Sequence, residues 1–210
     1  VKNILNLILV AAFAFIMLIA CEQEREGLVK PALPKPSTEP TYSASETQQI
    51  INTTYAWGNK NPQWDIDLFE AVKNVSISPT AKSPCKKIDI KSCLAQTISI
   101  MAKFESSFKP ETSYKESFKD AKGNYVISRG LLQLSIESAN QKAYSCGIKT
   151  ADELHNPKIN INCAVKIAAY WINKDQVFFG GDKLGIGRYW SVGRKSSGSN
   201  AKILKYLSDF

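Results

Sequence analysis

A single histidine, His155, serves a chain of 210 residues. That scarcity excludes His-rich metal centres and leaves Ser-His-Asp or Cys-His nucleophile systems without a credible base, since His155 stands alone in a loop-like segment. No Gly-rich phosphate cradle, EF-hand loop, internal repeat or long charged tract is present. The five cysteines never fall at the short C-x(2–4)-C intervals that zinc usually takes. No metal and no cofactor are therefore expected. The formal charge is +8, yet there is no basic helix or zinc finger, so nucleic acid is not an expected partner. An anionic polymer suits that charge better. With 44% hydrophobic and 10% aromatic residues, the chain can bury a real core. Its length suits one compact domain plus an appendage.

Charge is also missing locally. Among the first 20 residues only Lys2 carries a charged side chain, and Leu7–Ala20 is an unbroken apolar run of 14 residues. A membrane span needs about 20, whereas a basic start and a short apolar stretch describe a secretory signal peptide. The run ends in Leu18-Ile19-Ala20-Cys21, followed by charged Glu22, Glu24, Arg25 and Glu26. This resembles the bacterial lipobox, which implies removal of residues 1–20 and lipidation of Cys21. The resemblance implies an exported lipoprotein held to a membrane through Cys21. Glu22 in place of the retaining aspartate points to the periplasmic side of the outer membrane.

Setting Cys21 aside leaves an even set: Cys85, Cys93, Cys146 and Cys163. In an exported protein these read as two local disulfides, Cys85–Cys93 and Cys146–Cys163, of three possible pairings. Residues 21–44 hold four of the nine prolines and few large apolar side chains, the composition of an exposed linker. Order is expected from about Ser45, where Ser45-x-x-Gln48 makes a capping box. Asn61-Pro62 predicts a helix start, and strong helical periodicity runs from Lys91 to Phe104-Glu105. Residues 109–130 predict a hairpin or long loop with Tyr125-Val126-Ile127 as a strand. Helices are further predicted over 134–145, from Asn160 to about Phe179 with Gly180-Gly181 as the stop, near 183–191 and over 198–209. The expected fold class is mainly α, with 45–210 as one domain, monomeric.

Glu105 ends an apolar helix, where loss of hydration raises a carboxyl pKa and suits it to donate a proton near neutral pH. Around it, Glu105-Ser106-Ser107-Phe108-Lys109-Pro110 is followed by Ser128-Arg129-Gly130-Leu131-Leu132-Gln133. Then come Asn156-Pro157-Lys158-Ile159-Asn160-Ile161 and Arg188-Tyr189-Trp190-Ser191-Val192-Gly193. In that order, over roughly 93–195, they resemble the soluble lytic transglycosylase (SLT) family. The patterns E-S-x-F-x-P and N-P-x-x-N-I match closely, and S-x-x-G-L-M-Q matches at Gly130, Leu131 and Gln133, with Leu132 in place of methionine and Ser128 one residue nearer the glycine. The fourth, A-Y-N-x-G, matches at Tyr189 and loosely at the glycine.

The resemblance implies a lysozyme-like fold with a small hairpin or loop beside the cleft, and cleavage of the MurNAc-GlcNAc β-1,4 bond of peptidoglycan strands. Glu105 would be the single acid and base. Ser106 would neighbour it in the site or simply cap a turn. Ser128, Gly130 and Gln133 would meet the sugar, Gly130 by letting it approach the backbone. Tyr189 would orient Glu105 through its hydroxyl or pack as a buried tyrosine. Trp190, where the family has asparagine, would alter recognition of the N-acetyl group by stacking on sugar, or lie in the core. Glu111, Glu116, Asp120 and Glu137 read as solvated surface. The product is a 1,6-anhydro sugar if the sugar's own 6-hydroxyl attacks. Water attack instead makes a hydrolytic lysozyme, with de-N-acetylated glycan as a variant substrate. A peptidoglycan-binding lipoprotein without turnover is the alternative from another class.

Overall fold

The structure, a computed structural model, describes residues 55–210. The expected signal peptide, Cys21, the expected linker and the expected Ser45 capping box lie outside the described residues. Helix α1, Pro62–Lys73, starts where expected: the Asn61 side chain accepts from the Gln63 N–H, and Pro62 occupies the first turn. Its buried face, Trp64, Leu68, Ala71 and Val72, repeats at helical spacing and packs on α4, Pro157–Asp175. Helix α2, Ile90–Ser106, is capped by Asp89, whose carboxylate accepts from the Lys91 and Ser92 N–H groups. Every residue from Cys93 to Ala102 is buried, which makes α2 the central helix of the core. Its one buried glutamine, Gln96, is satisfied by the Tyr206 hydroxyl at 2.7 Å from α5, Gly198–Leu207, which packs against α2.

Strands β1, Ser113–Lys119, and β2, Tyr125–Arg129, form an antiparallel hairpin. Between the pairs Lys115–Ile127 and Lys119–Tyr125 the register slips, giving β1 extra residues opposite β2. At the tip, Asp120 accepts from the Lys122 and Asn124 N–H groups, and those bonds hold its carboxyl below the usual range. At the root, His155 is bonded through Nδ1 to the Pro110 carbonyl and through Nε2 to the Ser113 hydroxyl.

Three predicted elements are corrected. The helix expected over 134–145 is a single turn, α3, Ile136–Ala139. The Asn140 amide clamps both backbone groups of Ile148, an alternative bond set that turns the chain back. Helix α4 stops at Gln176, not at Gly180-Gly181. Gln176 is left-handed, and the next residues pair with Lys82 instead of continuing the helix. The helix expected near 183–191 is replaced by two 3-10 turns, Ile186–Arg188 and Ser191–Gly193. Gly185 causes the break: a Cβ there would lie 2.3 Å from the carbonyl oxygens of Val177 and Phe178.

Both expected disulfides are present, Cys85–Cys93 and Cys146–Cys163. The second ties the loop that carries Tyr144 to α4. In the chain-entropy picture, closing a loop of that size is worth roughly 3 kcal/mol.

Candidate active site

Glu105 occupies the last turn of α2. Two successive left-handed residues, Ser107 and Phe108, then reverse the chain, with their N–H groups bonded back to Lys103 and Ala102. This abrupt end leaves Glu105 facing a cleft of about 640 Å³. The residue as a whole is half-buried, but its Oε1 is shut from solvent with no hydrogen-bond partner among the described residues. Burial, and secondarily the negative charge of Glu116, push its pKa up to about 8. Glu105 is thus a protonated acid at neutral pH, as its place at the end of an apolar helix implied.

Glu116 corrects the sequence reading, which left it on the solvated surface. It is the one half-buried position in an otherwise exposed β1, borders the same cleft, and accepts a 2.6 Å hydrogen bond from Ser128 Oγ. The signal that could have found it is period two: Glu116 and Phe118 stand two apart in β1, and both line the cleft. Asp120 and Glu137 border it too. Glu111 is exposed and takes no part in the lining.

The other expected site residues divide. Ser128, Gln133 and Tyr189 line the cleft. Ser128 spends its hydroxyl on Glu116, and Gln133 Nε2 donates to the carbonyls of Gly130 and Thr112. Tyr189 is near enough for Glu105 to act on it electrostatically, but its hydroxyl is bonded to Ser138 Oγ at 2.7 Å, and burial pushes its pKa up to about 12. Ser138, Ser135 and Tyr144, which sequence reasoning missed, complete this wall.

Gly130 is a correction, whereas Ser106 and Trp190 take the structural alternatives. Ser106 is buried, outside the lining, with its hydroxyl on the Ala102 carbonyl. Gly130 meets protein rather than sugar: a Cβ there would lie 2.0 Å from the Leu154 carbonyl and 2.3 Å from Asn160 Nδ2. Trp190 borders the cleft but is 2% exposed, and its indole N–H donates to the Leu132 carbonyl at 2.8 Å. It is packed wall, not a free stacking face.

Asn160 organises the whole turn. Fully buried, it accepts from the Leu132 N–H and donates to the carbonyls of Arg129 and Leu154. Among the described residues, no group of three His, Cys, Asp or Glu side chains gathers as metal ligands.

Comparison with known proteins places this geometry. The transglycosylase SLT domain family model matches residues 85–176. The solved structure of Bd0314 DslA, wild-type form 2, is 34% identical over 72% of this chain and 90% of its own, with a TM-score of 0.60. The chain belongs to the transglycosylase SLT family. Membership carries peptidoglycan glycosidase activity and a lysozyme-like SLT fold. The family match stops at 176, short of the divergent Tyr189-Trp190 segment. Two variants of DslA, each with one glutamate changed to glutamine, are 33% identical to this chain, with TM-scores of 0.60 and 0.63. They cover 72% and 74% of this chain and 90% and 94% of their own. Their altered positions stand eleven residues apart, the same interval as Glu105 and Glu116 in this SLT chain. No curated protein matches.

Proposed function

We propose that this SLT domain cleaves the MurNAc-GlcNAc β-1,4 bond of peptidoglycan with Glu105 as general acid. The buried, protonated carboxyl in a cleft carries the reading. Glu105 gives its proton to the glycosidic oxygen, and the GlcNAc side departs with it. The resulting carboxylate takes the proton of whichever hydroxyl then attacks the anomeric carbon. In the transglycosylase route that is the sugar's own 6-hydroxyl, and the product is a 1,6-anhydro ring.

Glu116 favours a second reading, hydrolysis. A second carboxylate across the scissile bond serves as base for water or as nucleophile, and Ser128 holds Glu116 in place for it. The carboxylates of Glu116, Asp120 and Glu137 in the lining also support a de-N-acetylated sugar as substrate, because its ammonium would pair with them. Mass spectrometry of fragments from normal and de-N-acetylated sacculi tests all of this. Anhydro ends unaffected by Glu116→Gln support the first reading. Reducing ends that fall roughly 10²-fold or more in that variant support the second.

Membrane attachment through Cys21, on the periplasmic face of the outer membrane, belongs to the same proposal and is supported by the Leu7–Cys21 pattern. Cys21→Ser is expected to move the protein from the membrane to the soluble fraction. Equal membrane recovery of both forms would refute the anchor.

A further inference from the structure

Five large hydrophobic side chains are conspicuously exposed among the described residues, and three of them, Tyr114, Phe118 and Tyr125, sit on the hairpin. Tyr125 is covered by two ammonium groups, Lys115 at 3.9 Å and Lys119 at 5.0 Å from its ring centroid. Tyr114 is 61% exposed and lies outside the cleft lining. Phe118 is different: it is 58% exposed and borders the cleft that holds Glu105. What sets Phe118 apart is not its exposure, which Tyr114 shares, but its place in the lining, where it gives a polar cleft an apolar contact surface.

The backbone explains how it reaches the cleft. The register slip falls between Lys115 and Lys119, the stretch that carries Glu116 and Phe118. Bulges of this kind bend a strand and re-aim its side chains beside active sites. Glu116 and Phe118 both border the cleft, so the slipped stretch of β1 supplies it with one carboxylate and one apolar ring.

We propose that Phe118 is a sugar-stacking platform for the glycan strand as it leaves the scissile bond along the hairpin. The occupant is the same polymer the active site cleaves, because the phenyl surface is continuous with the cleft lining. A pyranose presents a face of C–H groups that packs on an aromatic ring while its hydroxyls stay at the rim in water. Stacking of this kind acts on substrate and transition state alike, so it strengthens binding without changing the chemical step.

This inference rests on the glycosidase reading, and the test separates the two. With soluble, uncrosslinked glycan strands, Phe118→Ala is expected to raise KM about tenfold, ~1.4 kcal/mol of binding, with kcat changed less than twofold. Phe118→Trp is expected to restore KM. Tyr114→Ala, which removes a neighbouring exposed ring outside the lining, is expected to leave KM alone. In a Glu105→Gln background, which removes turnover, Phe118→Ala is expected to weaken binding to the same strands by a similar factor. Unchanged KM and unchanged binding in Phe118→Ala would overturn the platform and leave the glycosidase standing, as would an equal effect of Tyr114→Ala. No cleavage by the unsubstituted protein, with binding still dependent on Phe118, would instead overturn the glycosidase reading.

Discussion

Glu105→Gln is expected to reduce release of soluble fragments from sacculi by roughly 10²–10⁴-fold, the usual contribution of a positioned proton donor. Glutamine keeps the shape of the side chain and removes its acid, so binding of glycan should persist. Cleavage by the unsubstituted protein should fall as pH rises through about 8, where the carboxyl loses the proton it must donate. Stability should show the same titration with a definite sign. The folded pKa lies above the ordinary value of 4.5, so the native state holds more protons than the unfolded chain between those pH values. Stability therefore declines from about pH 4.5 to about pH 8, with a ceiling near roughly 5 kcal/mol. Glu105→Gln removes that decline. Its stability advantage should be small at pH 4 and large at pH 8, measured by urea unfolding at both. Cleavage at the unsubstituted rate, or a stability gap that does not widen with pH, would contradict the placement of Glu105.

Gly130→Ala is expected to destabilise the fold by about 4 kcal/mol or more. Two costs combine. The residue sits at φ 78°, where a side chain is strained. Its added methyl would overlap the Leu154 carbonyl and the Asn160 amide, and neither can yield. Asn160 is fully buried and holds three backbone groups at once, and loss of any of those bonds leaves a buried polar group unpaired. An unfolding free energy from urea titration within about 1 kcal/mol of the parent would show that the turn relaxes, contrary to this packing.

What was legible in the sequence was whatever local chemistry decides. Asn61-Pro62, the apolar periodicity of α2 and the hairpin strand at Tyr125-Val126-Ile127 were found because caps, period and turn residues sit beside one another in the chain. So was Glu105, whose burial follows from the helix it ends. The failures have distant causes. Helix α4 ends early because residues after Gln176 pair with Lys82, almost a hundred positions back. The helix expected over 134–145 was undone by the Asn140 clamp on Ile148 and the bond from Cys146 to Cys163. Sugar contact and core stay open for Trp190 in the sequence because its place in a motif says nothing of its rotamer, which sends the indole to Leu132. Glu116 was invisible for the opposite reason: no motif surrounds it, and its value comes from a strand register that brings it to a helix end eleven residues earlier.

The hairpin separates two demands that most active sites combine. Every position of β1 except Glu116 is exposed, while its root is held by His155 and by the Gly130 N–H to the Thr112 carbonyl. Exchanges, insertions or deletions between Ser117 and Asn124 therefore disturb little of the helical core. Over generations, the width and chemistry of the groove can drift under selection for a particular wall while the folding free energy stays where it is. Relatives that share α2 and the Asn160 turn but differ in this stretch would form a natural series in substrate range at nearly constant melting temperature. For the same reason, this short segment is the place to graft new glycan preferences onto an otherwise untouched scaffold.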